Sequence, residues 1–138
     1  MKQRTPVSAI MTKNIIGLKK SDDLQYAETL FNKHKIKHIP VVSGKAVIGM
    51  LSYSDLLKIS YADVTEDESD VDAVVYNMFT IEQVMVKNVV TISSETTIKE
   101  ATRRLAESDF HALPVVDNGI LKGIITTTDL LNYFVDQF

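Results

Sequence analysis

Two short stretches of the chain place a hydroxyl and a carboxylate three residues apart behind an apolar run. They read Gly-Met-Leu-Ser-Tyr-Ser-Asp-Leu-Leu from Gly49 to Leu57 and Gly-Ile-Ile-Thr-Thr-Thr-Asp-Leu-Leu from Gly123 to Leu131. Ser52-x-x-Asp55 and Thr126-x-x-Asp129 support two kinds of chemistry. One is a helix cap, in which the hydroxyl accepts from a backbone N–H one turn on and the acid reaches back. The other is a grip on a nucleotide. A strand ending at a helix N-terminus leaves several N–H groups and a partial positive charge for phosphate. The hydroxyl adds a donor, and the carboxylate offers two oxygens to the two hydroxyls of a ribose. The spacing serves both roles, and a ligand can take over a cap.

A basic or titratable residue stands three positions before each of two prolines, Lys37 before Pro40 and His111 before Pro114. Strand alternation would aim Lys37 to the side of Ile39 and Val41, a poor place for an unpaired charge unless that side faces a cleft. The plainer alternative is that Lys33, His34, Lys35, Lys37 and His38 form a basic cluster at a helix C-terminus, where cations are favoured.

Other chemistries find little support. The chain has no cysteine, its His34, His38 and His111 lack metal-ligand spacing, and it has no Gly-rich phosphate loop. No catalytic residue and no metal ligand is expected, and a small enzyme is the least favoured class. A net charge of -3 argues against an electrostatic nucleic-acid binder. Basic Met1-Lys-Gln-Arg is followed by Thr5, Pro6, Ser8, Thr12, Lys13 and Asn14, which interrupt any signal-peptide core. Apolar runs such as Ala46 to Leu51 are too short to span a bilayer. The expectation is a soluble cytoplasmic protein with no membrane partner.

The elements that must position these residues come in duplicate. Met11-x-Lys13-Asn14 recurs as Met85-x-Lys87-Asn88, an offset of 85 − 11 = 74. Pro40-Val41-Val42 and Pro114-Val115-Val116, Gly49 and Gly123, Ala27 and Ala101 keep the same offset, so the chain is a tandem duplication. Each copy predicts a short apolar turn (Val7–Met11; Ile81–Met85), then a strand (Ile15–Leu18; Val89–Ile92). Ser21-Asp22-Asp23 and Ser93-Ser94-Glu95 are expected to supply N-caps and first-turn acids. Helices follow, with Leu24, Ala27, Leu30, Phe31 and Ile98, Ala101, Leu105 at helical spacing. The prolines mark entry to strands. Ser43-Gly44 and Asp117-Asn118-Gly119 signal hairpins, the second more strongly. The strands Ala46–Leu51 and Ile120–Ile125 then run into the Ser/Thr-x-x-Asp helices. The order is β-α-β-β-α, twice, an α/β (α+β) fold.

The division is 1–60 for the first repeat, 61–80 for a connector and 81–138 for the second repeat. The connector holds six of the 18 acids and no Lys or Arg, so the repeats carry 12 (18 − 6) acids against 15 Lys and Arg, or +3. Such a run is most simply a solvated linker, with a cation site or docking tail as the functional alternative. Val71, Val74, Val75 and Met78 are placed to give its second half a helical turn against the core.

Two copies of Met-x-x-Asn-hydrophobic, then Ile-Pro-Val-Val or Leu-Pro-Val-Val, then Gly-h-h-Ser/Thr-x-x-Asp-Leu-Leu resemble a tandem CBS-domain pair, or Bateman module. The resemblance implies two β-α-β-β-α repeats with their sheets packed face to face under pseudo-twofold symmetry. It implies clefts that take adenosine ligands such as AMP, ADP, ATP, NAD or S-adenosylmethionine, with Asp on the ribose and the hydroxyl near phosphate. It also implies exchange between repeats: Thr126 and Asp129 completed by Ile16, Lys37 and His38, and Ser52 and Asp55 completed by Val90, His111 and Ala112. Permanently charged Lys37 would suit the Asp129 cleft to a polyphosphate. The Asp55 cleft, with titrating His111 and bulky Tyr53, would prefer AMP or stay empty. A disc-like homodimer and a separate effector protein are further implications. Too few residues lie outside the repeated elements and the connector for a catalytic domain. The expected function is therefore a non-catalytic sensor that requires no cofactor and takes an adenosine nucleotide as regulatory ligand. The alternative is an interaction adaptor of the same fold that binds no nucleotide.

Overall fold

The computed structural model describes residues 4–62 and 76–138. After a 3-10 turn at Val7–Ala9, the elements are α1 (Leu24–His34), β1 (His38–Ser43), β2 (Ala46–Ser52), α2 (Tyr53–Ala62), α3 (Ile81–Val84), α4 (Ile98–Ala106), β3 (Ala112–Asp117), β4 (Ile120–Thr126) and α5 (Thr127–Asp136). The two antiparallel sheets are duplicates at the offset of 74. β1 pairs with β2 from His38↔Ser52 to Ser43↔Ala46, and β3 pairs with β4 from Ala112↔Thr126 to Asp117↔Ile120. Both registers slip at the same place, between Val41 and Val42 and between Val115 and Val116. The hairpin turns differ as their residues require. Asn118 and Gly119 both take positive φ, at 52° and 78°, the pair of conformations that an Asn-Gly hairpin accepts most readily. In the hairpin turn of the first repeat Gly44 alone does so, at 61°.

The chain forms two compact units that do not coincide with the repeats. Ile16–Asn88 forms one, and residues up to Ile15 join Val89–Phe138 to form the other. Each repeat's leading segment is built into the other repeat's unit. Thr12 bridges Ile124 on the edge of β4, with Thr12 N–H to Ile124 O at 2.9 Å and Ile124 N–H to Thr12 O at 3.0 Å. Val86 bridges Met50 on the edge of β2 in the same way, at 2.9 and 3.0 Å.

This exchange explains both the repeated methionines and the repeated glycines. A Cβ added at Gly123 would stand 2.7 Å from Met11 sulfur, and one added at Gly49 would stand 2.3 Å from Met85 sulfur. Each glycine exists to let a thioether lie on its strand.

The first predicted strand is shorter than the apolar pattern suggests. Ile15–Leu18 and Val89–Ile92 contribute one parallel bridge each, Leu18 to Val41 and Ile92 to Val115. The proline carbonyls make this possible: Pro40 O accepts from Leu18 N–H at 3.0 Å and Pro114 O from Ile92 N–H at 3.1 Å.

The caps divide the same way. Asp23 caps α1 by accepting from Tyr26 N–H at 2.7 Å, as Ser21-Asp22-Asp23 predicts, although no acid occupies the first turn. Ser93-Ser94-Glu95, in contrast, does not cap α4. Thr97, at 74 beyond Asp23, accepts from Glu100 N–H at 3.1 Å, and Glu100 is the first-turn acid. Ser94 is drawn off by the strand: its N–H donates to Asp117 Oδ1 at 3.0 Å. The hydrogen bonds from Ser94 hold the Asp117 carboxyl below its ordinary value of 3.8, with Lys122 adding to the effect.

Each unit has its own apolar core. Leu18, Leu24, Ala27, Ile39, Val41, Leu51, Leu56 and Ile81 are fully buried in one; Val7, Ala101, Leu113, Val115 and Ile125 are fully buried in the other. Of the connector, Asp63, Glu66, Asp67, Glu68, Asp70, Asp72, Val71, Val74 and Val75 lie outside the described residues. Met78, expected against the core, is 64% exposed, and Tyr76 is buried instead, its hydroxyl donating to Glu28.

Candidate functional site

The Ser/Thr-x-x-Asp stretches stand where a strand turns into a helix, and both are genuine caps. Thr126 Oγ1 accepts from Asp129 N–H at 3.0 Å, and Asp129 Oδ2 accepts from Thr126 N–H at 3.0 Å. The shorter reach of Asp is therefore sufficient to close the box. Ser52 Oγ accepts from Asp55 N–H at 3.0 Å, whereas the return bond from Ser52 N–H to Asp55 Oδ2 is longer, at 3.4 Å.

The helix starts offer fewer N–H groups to an anion than a bare N-terminus would. Thr127 N–H donates to His111 O at 3.0 Å, and Tyr53 N–H donates to Lys37 O at 2.8 Å. Three of the four orphan amides at α5 are thus satisfied internally, through residues 126, 127 and 129. The side-chain hydroxyls keep more of their capacity. Thr126 Oγ1 receives an amide proton and still has its own O–H to donate. Ser52 Oγ shares a hydrogen bond with Ser54 Oγ at 3.0 Å.

Those same backbone bonds tie the residues before the prolines to the helix starts. Within one unit they bring Lys37 beside Tyr53, and the register pairs His38 with Ser52. Within the other they bring His111 beside Thr127, and the register pairs Ala112 with Thr126. Lys37 does not sit on the buried side of a strand, as alternation suggests. β1 starts at His38, and Ile39, Pro40 and Val41 are all buried, so strict alternation fails there. The Lys37 side chain is exposed at the rim of a shallow cavity of about 250 Å³, with Phe31, Asn32, Lys35, Ile36 and Tyr53. Tyr53 turns its ring edge-on to Phe31 at 5.4 Å, so its bulk is taken up by that unit's apolar cluster. Lys33 and His34 occupy the last turn of α1, and Lys35 ends it in the left-handed conformation, φ 53°. Ile16 packs on the same cluster. Val90 is 44% exposed and Ala112 is buried.

One polar group at the Asp129 site escapes the sequence patterns. Thr12 Oγ1 donates to Asp129 Oδ1 at 3.3 Å and to Oδ2 at 3.4 Å, across 117 positions of sequence. Its counterpart at Asp55 is Val86, which has no hydroxyl. Among the described residues no group of three or more His, Asp or Glu is placed to hold a metal ion, and no helix is long and apolar enough to cross a membrane.

Residues 7–62 and 81–136 each match the CBS domain family. Homoserine O-acetyltransferase of Methanococcus vannielii is 31% identical over 128 residues, covering 91% of this chain and 24% of that protein. The chain spans between 24% and 45% of the length of three curated relatives that it matches. Among solved structures, the CBS domain pair of protein MJ0100 in complex with 5′-methylthioadenosine and S-adenosyl-L-methionine superposes with a TM-score of 0.80 at 24% identity. It covers 97% of this chain and 98% of that one. CBSX2 in complex with AMP superposes with a TM-score of 0.79 at 23% identity, covering 96% and 98%.

Proposed function

The chain belongs to the CBS-domain family, with two repeats, and on that premise we propose that it is a non-catalytic regulatory module binding an adenosine nucleotide. The observation that carries the proposal is the duplicated strand-to-helix corner with its hydroxyl and carboxylate. A carboxylate with acceptor capacity to spare at a solvent-reaching helix start suits a vicinal diol, and the neighbouring hydroxyl donor suits a phosphate. The AMP and S-adenosylmethionine named for structurally similar CBS proteins support an adenosine moiety.

Thr126 and Asp129 form one half-site and Ser52 and Asp55 the other. Completion of the first by Ile16, Lys37 and His38, and of the second by Val90, His111 and Ala112, is part of the same proposal and rests on the family pattern. With most amides at the helix starts already bonded, a cationic side chain carries more of the phosphate charge. That favours Lys37 as the determinant of polyphosphate binding. A homodimer and a separate effector protein complete the proposal. Leu131 and Val135, 59% and 70% exposed and four residues apart on α5, are apolar surface that self-association would cover.

A thermal-shift panel of AMP, ADP, ATP and S-adenosylmethionine tests this reading. Well above Kd, a ligand specific to the folded state raises Tm by several degrees. No shift with any of the four favours an interaction adaptor of the same fold.

A further inference from the structure

We propose that Thr12 is a specificity-determining residue of the Asp129 half-site and reads one hydroxyl of the ligand's ribose. The inference rests on the adenosine-binding reading above and deepens it. Thr12 lies outside the capping box, yet its hydroxyl is forked between both oxygens of Asp129, at 3.3 and 3.4 Å. Those distances exceed the 2.7–2.8 Å typical of an O–H···O bond, so the fork orients the carboxylate without saturating it. A hydroxyl that donates to a carboxylate still has two lone pairs. One ribose hydroxyl can therefore donate to Asp129 Oδ1 and its neighbour to Thr12 Oγ1.

The backbone fixes where this side chain stands. Thr12 is pinned by both of its backbone hydrogen bonds to Ile124, two residues before Thr126. Val86 is pinned to Met50 by the same two bonds, so the backbones of the two half-sites correspond and only the side chain differs. Val86 is 51% exposed, and its side chain can neither donate nor accept. Beyond the capping hydroxyl that both corners share, the Asp55 half-site thus offers its carboxylate, and the Asp129 half-site offers its carboxylate and the Thr12 hydroxyl.

The test compares AMP with 2′-deoxy-AMP and 3′-deoxy-AMP by isothermal titration in an Asp55→Ala background. Thr12→Val keeps the branched shape, and Thr12→Ser restores the hydroxyl. The expected result is that the affinity penalty for removing one of the two hydroxyls falls about fivefold in Thr12→Val and returns in Thr12→Ser. Val86→Thr in an Asp129→Ala background should enlarge the deoxy penalty at the Asp55 half-site. Deoxy penalties that are the same with Thr, Val and Ser at position 12 overturn the role of Thr12 and leave the adenosine reading standing. Failure of wild type to bind AMP, or undiminished AMP binding when both Asp55 and Asp129 are alanine, overturns that reading and the inference with it.

Discussion

The Asp129 and Asp55 corners share backbone, register and cap, and differ in what surrounds the carboxylate. At Asp129 the return bond of the cap is 3.0 Å and Thr12 adds a third hydrogen-bonding group. At Asp55 the return bond is 3.4 Å, valine stands where threonine would, and the serine hydroxyl is shared with Ser54. Duplication preserved the frame and left chemistry free to diverge at exposed positions. The lesson is that equal motifs do not make equal sites.

The largest expected effect tests whether the frames are as equivalent as they look. Leu51 and Ile125 are counterparts, both fully buried. Leu51→Ala and Ile125→Ala should each cost about 2–5 kcal/mol by denaturant unfolding. A loss below 1 kcal/mol at either would show that the two cores are not alike.

Next come the glycines under the methionines. At Gly49 the three atoms nearest an added Cβ all belong to the Met85 side chain, which can swing away. At Gly123 the Thr12 carbonyl lies 2.9 Å from that Cβ, and backbone cannot yield as easily. Both Gly→Ala changes should destabilise, within roughly 1–3 kcal/mol, and Gly123→Ala more than Gly49→Ala. The reverse order would mean that the Thr12 bridge is soft.

How much of this was legible beforehand follows from the kind of signal each residue leaves. The offset of 74 revealed the duplication, the hairpins and both caps, because each is encoded within a few consecutive residues. The exchange of leading segments was invisible in the residues themselves, since Met11 and Met85 carry the same offset whichever glycine they cover. The cluster Ser93-Ser94-Glu95 has the residue types of an N-cap, yet the offset of 74 from Asp23 leads to Thr97, the residue that caps α4. Alternation places Lys37 on the buried side only when it is extended one residue beyond the start of β1; its exposed position fits the basic cluster at the end of α1. Thr12 occupied the variable slot of Met-x-Lys-Asn, and its contrast with Val86 was the available signal. Tyr76 left no periodic trace at all.

The cap itself offers a smaller contrast. Asp129→Ala should lower stability by about 1 kcal/mol and Asp55→Ala by less, because the return bond that each carboxylate accepts is 3.0 Å in the one and 3.4 Å in the other. Equal losses would show that the extra 0.4 Å carries no energetic weight.

The smallest effect concerns acid. Asp117 has its carboxyl lowered chiefly by Ser94, and its counterpart in the first repeat is Ser43, which cannot titrate. A carboxyl lowered in the folded state adds stability that is present above its unfolded value of 3.8. That contribution is lost as pH falls through the lower folded value. The stability difference between wild type and Asp117→Asn should therefore be present at pH 7 and shrink below pH 3.8. A difference independent of pH would assign the Ser94 contact to geometry alone.

The central claim is that these corners hold an adenosine ligand and hold it unequally. Isothermal titration of ATP into wild type, Asp55→Ala and Asp129→Ala tests it directly. The account predicts a loss of affinity of at least about tenfold for Asp129→Ala and a distinctly smaller one for Asp55→Ala. Equal losses would contradict the inequality, and no loss in either variant would contradict the site.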